Sequence, residues 1–162
     1  MRNVIRQIIS FILPITVLIL IPLTIEHDLS IKHLWALLIG LILMFIGLFV
    51  MLMTVSTFIR IGKGTLAPWS PTRKLIISGI YGYVRNPMIM GVLTVLAGES
   101  IAVLSFNIFI WTVIFFIINN IFFVVYEEPE LEKRFGNEYL EYKRNVPRWI
   151  PRLNQFKPDS GL

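Results

Sequence analysis

Three groups of side chains in this sequence are of types and spacings that could do chemistry. The first is the run 78–91, where Ser78, Gly79, Tyr81, Gly82, Tyr83, Arg85, Asn86, Pro87 and Gly91 lie close together. Glycines let a backbone approach a ligand closely, and tyrosine rings can cover it. Pro87 suits the first turn of a helix, whose free N–H groups favour an anionic group. The same residues would also make an interfacial aromatic belt with turn glycines. The second group is Glu127-Glu128, expected at the C-terminal end of an apolar helix, where two carboxylates oppose the helix dipole. A ligand with hydroxyls or positive charge would account for them, and so would plain solvation at the interface. The third is Glu99, twelve residues past Pro87 and so about 18 Å along a helix. An ionisable residue that deep is a functional candidate, or else a group solvated at the outer end of a short helix.

Long apolar elements must position these groups. Of 162 residues, 56% are hydrophobic and 15% charged, and the mean hydropathy is +0.73. Soluble domains carry about a quarter charged residues. A bilayer core of ~30 Å takes about 20 apolar residues in a helix. Four stretches qualify: 8–25, interrupted by Pro14 and Pro22, then 34–59, 87–104 and 106–126. The basic start, Arg2 and Arg6, resembles a signal peptide, but no small-residue cleavage site follows, so a retained helix is expected. Loop charges orient the spans. The N-terminus has Arg2 and Arg6, the loop after the first span has Glu26 and Asp28, and 60–85 carries Arg60, Lys63, Arg73, Lys74 and Arg85 without an acid. Basic loops stay cytoplasmic. The expectation is therefore an all-α, polytopic protein of the cell membrane, with about four transmembrane helices and both termini cytoplasmic.

Residues 127–162 carry seven acids and seven bases, which predicts a solvated cytoplasmic helix over about 130–145, ended by Pro147 and Pro151, then a tail. The sequence has no cysteine, which excludes disulfides, zinc-thiolate sites and cysteine nucleophiles. The net charge of +5 sits in loops beside apolar spans, and no basic stripe with stacking aromatics points to nucleic acid.

Two runs together resemble a known family. Lys74-Leu75-Ile76-Ile77-Ser78-Gly79-Ile80-Tyr81, then Arg85-Asn86-Pro87 and Gly91, resembles the first signature of the isoprenylcysteine carboxyl methyltransferase and phospholipid methyltransferase superfamily. The second signature follows in Glu127-Glu128, Leu131, Phe135-Gly136, Glu138-Tyr139, Tyr142-Lys143, Val146-Pro147 and Pro151. The resemblance divides a single membrane domain into two N-terminal helices with their loop (1–69), a cofactor-binding core (70–151) and a tail (152–162).

The resemblance implies a membrane-embedded methyltransferase using S-adenosylmethionine, with the bilayer and a lipidic or small apolar methyl acceptor as partners. Carried over by position, Arg73, Lys74, Leu75 and Ile76 would line the cofactor pocket. Tyr81, Asn86, Pro87, Met88 and Ile89 would join them, with Glu127 from the far helix. Arg85 could pair with the cofactor's carboxylate, and methyl transfer asks for positioning rather than a metal. In two places the sequence departs from the pattern: Asn86 stands where the family has histidine, and Ile89 where it has an aromatic residue. Phe123 occupies the place, four before the key glutamate, where carboxyl methyltransferases carry a base that orients the acceptor carboxylate. Arg148 could supply that clamp from the tail, and Glu128 could take a proton from an amine acceptor. Two rival readings are a membrane reductase related to the sterol reductases, using a nicotinamide cofactor, and a non-catalytic scaffold or transporter subunit.

Overall fold

The computed structural model of the chain describes residues 12–57, 60 and 75–157. These contain helices and turns, with no strand among the described residues. Helix α1 is Ile12–Ile25 and α2 is Leu34–Thr57. A short 3-10 turn at Gly79–Gly82 leads into α3, Pro87–Ala102. Helix α4 is Phe106–Phe135 and α5 is Asn137–Asn145. Helices α2 and α4 are long and apolar enough to cross a membrane, whereas α1 and α3 are shorter apolar helices. Arg2, Arg6, Lys63, Arg73, Lys74 and residues 8–11 and 58–59 of the first two expected spans lie outside the described residues.

The closest helix packing is the antiparallel pair α2 and α3. A Cβ at Gly40 would lie 2.5 Å from the Gly98 carbonyl oxygen, and one at Gly47 would lie 2.6 Å from that of Gly91. Backbone therefore rests on backbone at two points seven residues apart on each helix, as small residues allow in membrane bundles. Val17, Val92, Leu96 and Phe115 form the bundle's core, joining α1, α3 and α4. Trp111 Nε1 donates to the Val17 carbonyl at 3.2 Å, and Ser105 Oγ donates to Glu26 at the α3–α4 turn. Outward faces are apolar: Phe45, Leu34 and Leu52 are among the most exposed side chains.

Helix α4 differs from expectation. It does not end near residue 126 but runs on as one helix to Phe135, about 45 Å at 1.5 Å per residue. Only about 30 Å of that fits a hydrocarbon core, so the apolar run closes at Tyr126 and the last turns project beyond it. An end was expected because the sequence turns charged at Glu127, and Pro129, whose ring collides with the carbonyl four residues back, is a further obstacle to a continuous helix. The chain absorbs it by widening to π geometry over Phe123–Glu127 instead of breaking. Pro22 is accommodated in the same way, after a π segment at Thr16–Leu20. Gly136, with φ +52, then turns the chain into α5. The solvated helix expected over 130–145 is thus the end of α4 plus α5. Val146, extended before Pro147, stops it.

Candidate functional site

Both signature runs meet where α4 leaves the apolar stretch. The tail holds the first run in place through three backbone bonds. Arg85 N–H donates to the Pro147 carbonyl at 3.0 Å, Arg152 N–H to Tyr83 at 3.0 Å, and Phe156 N–H to Gly82 at 2.9 Å. Tyr142 Oη adds a fourth tie, donating to the Tyr81 carbonyl at 2.8 Å. Tyr139, Tyr142 and Val146 are buried here, with Leu75, Ile77, Leu131, Phe135 and Phe156 packed around them.

Glu128 is the centre of the charge network. Its side chain is 9% exposed and takes Arg85 Nη1 at 2.9 Å, Arg148 Nη2 at 2.6 Å and Lys143 Nζ at 3.0 Å. Arg148 Nε adds a bond at 2.8 Å, and Lys143 also reaches Glu132 at 2.6 Å. Burial pushes the Glu128 carboxyl up, but Lys143, Arg85 and Arg148 outweigh it and hold the group below its ordinary range. This bears on two sequence expectations. A carboxylate that spends its lone pairs on three cations is a poor proton acceptor, which speaks against Glu128 as the expected base. Arg148 is no free clamp either, because its remaining Nη1 donates to Asn120 Oδ1 at 3.0 Å.

Glu127, one residue earlier, has no ion pair among the described residues and is half-buried. Burial, then the charges of Glu128 and Glu130, push its carboxyl up to about 7. Tyr81 lies within its field: burial and then the Glu127 charge raise the Tyr81 phenol. Arg85 pairs with Glu128, the next residue along, and its buried Nε has no hydrogen-bond partner. Asn86 precedes α3 without capping it through its side chain, leaving the amide available. Ile76 and Pro87 are buried, and Leu75 and Met88 are half-buried nearby in the chain. Ile89 packs against the bundle core instead, and Arg73 and Lys74 lie outside the described residues. Glu99 sits in the last turn of α3, at the opposite end from this corner.

Phe123 is buried and meets Trp149 edge-on at 5.9 Å between ring centroids, so aromatic packing fills the place of a base. Sequence reasoning missed Asn120 and Trp149 as parts of the site. Trp149 Nε1 donates to Asn120 Oδ1 at 3.1 Å, alongside Arg148. The available signal was an amide pair, Asn119-Asn120, inside an apolar span, where polar groups are costly unless partnered.

Comparison with known proteins gives the family. The family model for phospholipid methyltransferase matches residues 35–138. Protein-S-isoprenylcysteine O-methyltransferase B of Arabidopsis thaliana is 31% identical over 87 residues, 50% of this chain and 41% of that protein. Protein-S-isoprenylcysteine O-methyltransferase of Schizosaccharomyces pombe is 32% identical over 86 residues, covering 48% of this chain and 33% of its own length. The chain therefore spans less than half the length of both named relatives. An uncharacterized protein of Haemophilus influenzae is 35% identical over 68 residues, 42% of this chain and 98% of its own. No solved structure matches the chain. With a match over residues 35–138 that takes in most of the site just described, the chain belongs to the phospholipid methyltransferase family of membrane methyltransferases.

Proposed function

We propose that this protein transfers a methyl group from S-adenosylmethionine to a lipidic or small apolar acceptor where α4 leaves the bilayer. The reading is supported by Glu127 and Tyr81, far apart in sequence, lying close enough for the Glu127 charge to raise the Tyr81 phenol, while Arg85, paired with the neighbouring Glu128, keeps a buried Nε without a partner. Those three groups suit S-adenosylmethionine. When bound, it supplies an electrophilic methyl group on a sulfonium. Ionised Glu127 accepts from ribose hydroxyls or an amino group, Arg85 Nε donates to a carboxylate, and Tyr81 covers a ring or faces the cation. Leu75, Ile76, Pro87 and Met88 provide apolar walls and Asn86 a hydrogen-bonding amide, while Arg73 and Lys74 remain candidates by the resemblance alone. Ile89 supports that wall from the bundle side.

The acceptor is an amine or a carboxylate at the membrane face. With Arg85, Lys143 and Arg148 paired, a carboxylate would have to compete with Glu128 for those cations, and an amine would have to pass its proton to solvent. In the bilayer we propose four spans, α1 to α4, with the termini and the 60–85 loop cytoplasmic. The test is cofactor affinity in the full-length, detergent-purified protein. Glu127→Ala and Tyr81→Ala should each weaken S-adenosylmethionine binding about tenfold or more, on the scale of one lost charge-assisted bond, while the variants stay folded. Unchanged affinity in both would remove the pocket assignment.

A further inference from the structure

The tail segment 147–153 runs alongside the membrane span itself. Trp149 packs its ring on Phe116 at 5.1 Å and on Phe123 at 5.9 Å. Both belong to α4, where the apolar run closes at Tyr126. Asn120, which takes Trp149 Nε1, lies seven residues before Glu127, about 10 Å inside along the helix axis. Phe116 is rooted about 16 Å inside, near the middle of a ~30 Å core. The tryptophan ring therefore stands at the depth of lipid chains, and Ile150 and Leu153 follow it in the same segment. These are 77% and 97% exposed, although both are large and apolar.

Irregular backbone and an arginine at that depth need to be satisfied internally. Pro147 and Pro151 have no N–H to satisfy. The Pro147 carbonyl accepts from Arg85 N–H and Arg152 N–H donates to Tyr83, whereas the N–H groups of Trp149, Ile150 and Leu153 have no protein partner among the described residues and so need the water of the headgroup boundary. Arg148 is neutralised by Glu128 and its last edge is taken by Asn120. The chain around the segment carries Arg144, Arg152 and Lys157, bases suited to lipid phosphates.

From these contacts we infer that 147–153 is an interfacial membrane segment that lies at the headgroup boundary of the leaflet where Glu127 emerges. Trp149 packs on α4, Ile150 and Leu153 project into the acyl chains, and the flanking bases contact anionic headgroups. The surface is thus a lipid-binding wall of the site's mouth, whichever side of the membrane that mouth faces.

The chain has no cysteine of its own, so one introduced thiol carries a label without background. Ile150→Cys, Leu153→Cys and, as a solvated control, Asn145→Cys would each be nitroxide-labelled and reconstituted into phosphatidylcholine/phosphatidylglycerol vesicles. Accessibility to oxygen and to a water-soluble nickel chelate would then be read by EPR. All three positions are exposed, so folding is expected to survive, with monodispersity as the check. The inference predicts an oxygen-to-nickel ratio several-fold higher at 150 and 153 than at 145. Equal ratios at all three positions would overturn it. Low access to both reagents at 150 and 153 would overturn it too, by pointing to a protein partner.

Discussion

Glu128 gathers three cations at 2.6 to 3.0 Å, while Glu127 beside it has no ion pair among the described residues. Removing the hub leaves Arg85, Lys143 and Arg148 crowded without their shared anion. Loss of one partner from a buried ion pair costs about 3–5 kcal/mol. Lys143 is about a third exposed and recovers part of that from water and Glu132. Glu128→Gln should therefore destabilise the protein by roughly 2–3 kcal/mol, at the low end of that scale, readable as a lowered midpoint in SDS titration. Glu127 behaves in the opposite way. Its carboxyl, raised to about 7 chiefly by burial, holds its proton below that pH and releases it above. A ligand that needs the carboxylate must displace the proton on the acid side. Affinity for S-adenosylmethionine should therefore rise about tenfold from pH 6 to pH 8, as one linked proton requires. In Glu127→Gln calorimetry should find that dependence flat, and a slope that persists would place the titrating group elsewhere. From the sequence, the glutamate pair stood out as a candidate, but which of its two carboxylates meets the cations was not legible. Which carboxylate meets the cations depends on the π widening at Phe123–Glu127 and on tail residues some twenty positions away.

At the scale of elements, the apolar runs were legible because hydropathy and length alone define them, and α2, α3 and the start of α4 lie where expected. The continuation of α4 through Pro129 was not, since a helix can absorb a proline only if neighbours support the wider turn. Nor was the α2–α3 contact read, although Gly40, Gly47, Gly91 and Gly98 repeat at seven residues on both helices. Gly47→Ala places a methyl group 2.6 Å from a carbonyl oxygen and forces the two helices apart. Overpacking of this kind costs about 1–3 kcal/mol, and a thermal shift in detergent should show a lower melting temperature. An unchanged melting temperature would mean that the helices do not touch at this point.

For the whole molecule, a bundle with apolar outer faces carries its polar groups at one end, where the loop before α3, the end of α4 and the tail converge. Glu26, Ser105 and Asn107 close the other end. Four spans with the site on the cytoplasmic side require alkaline phosphatase fused at residue 29 to be active and fluorescent protein fused after residue 162 to glow. The reverse pattern would invert the topology. The central claim is that the corner of Tyr81, Arg85 and Glu127 takes a methyl donor. Calorimetry of the full-length protein in detergent, titrated separately with S-adenosylmethionine and NADPH, tests it most directly. The account predicts saturable binding of S-adenosylmethionine with one site per chain and no heat from NADPH. Binding of NADPH alone, or of neither, would contradict it.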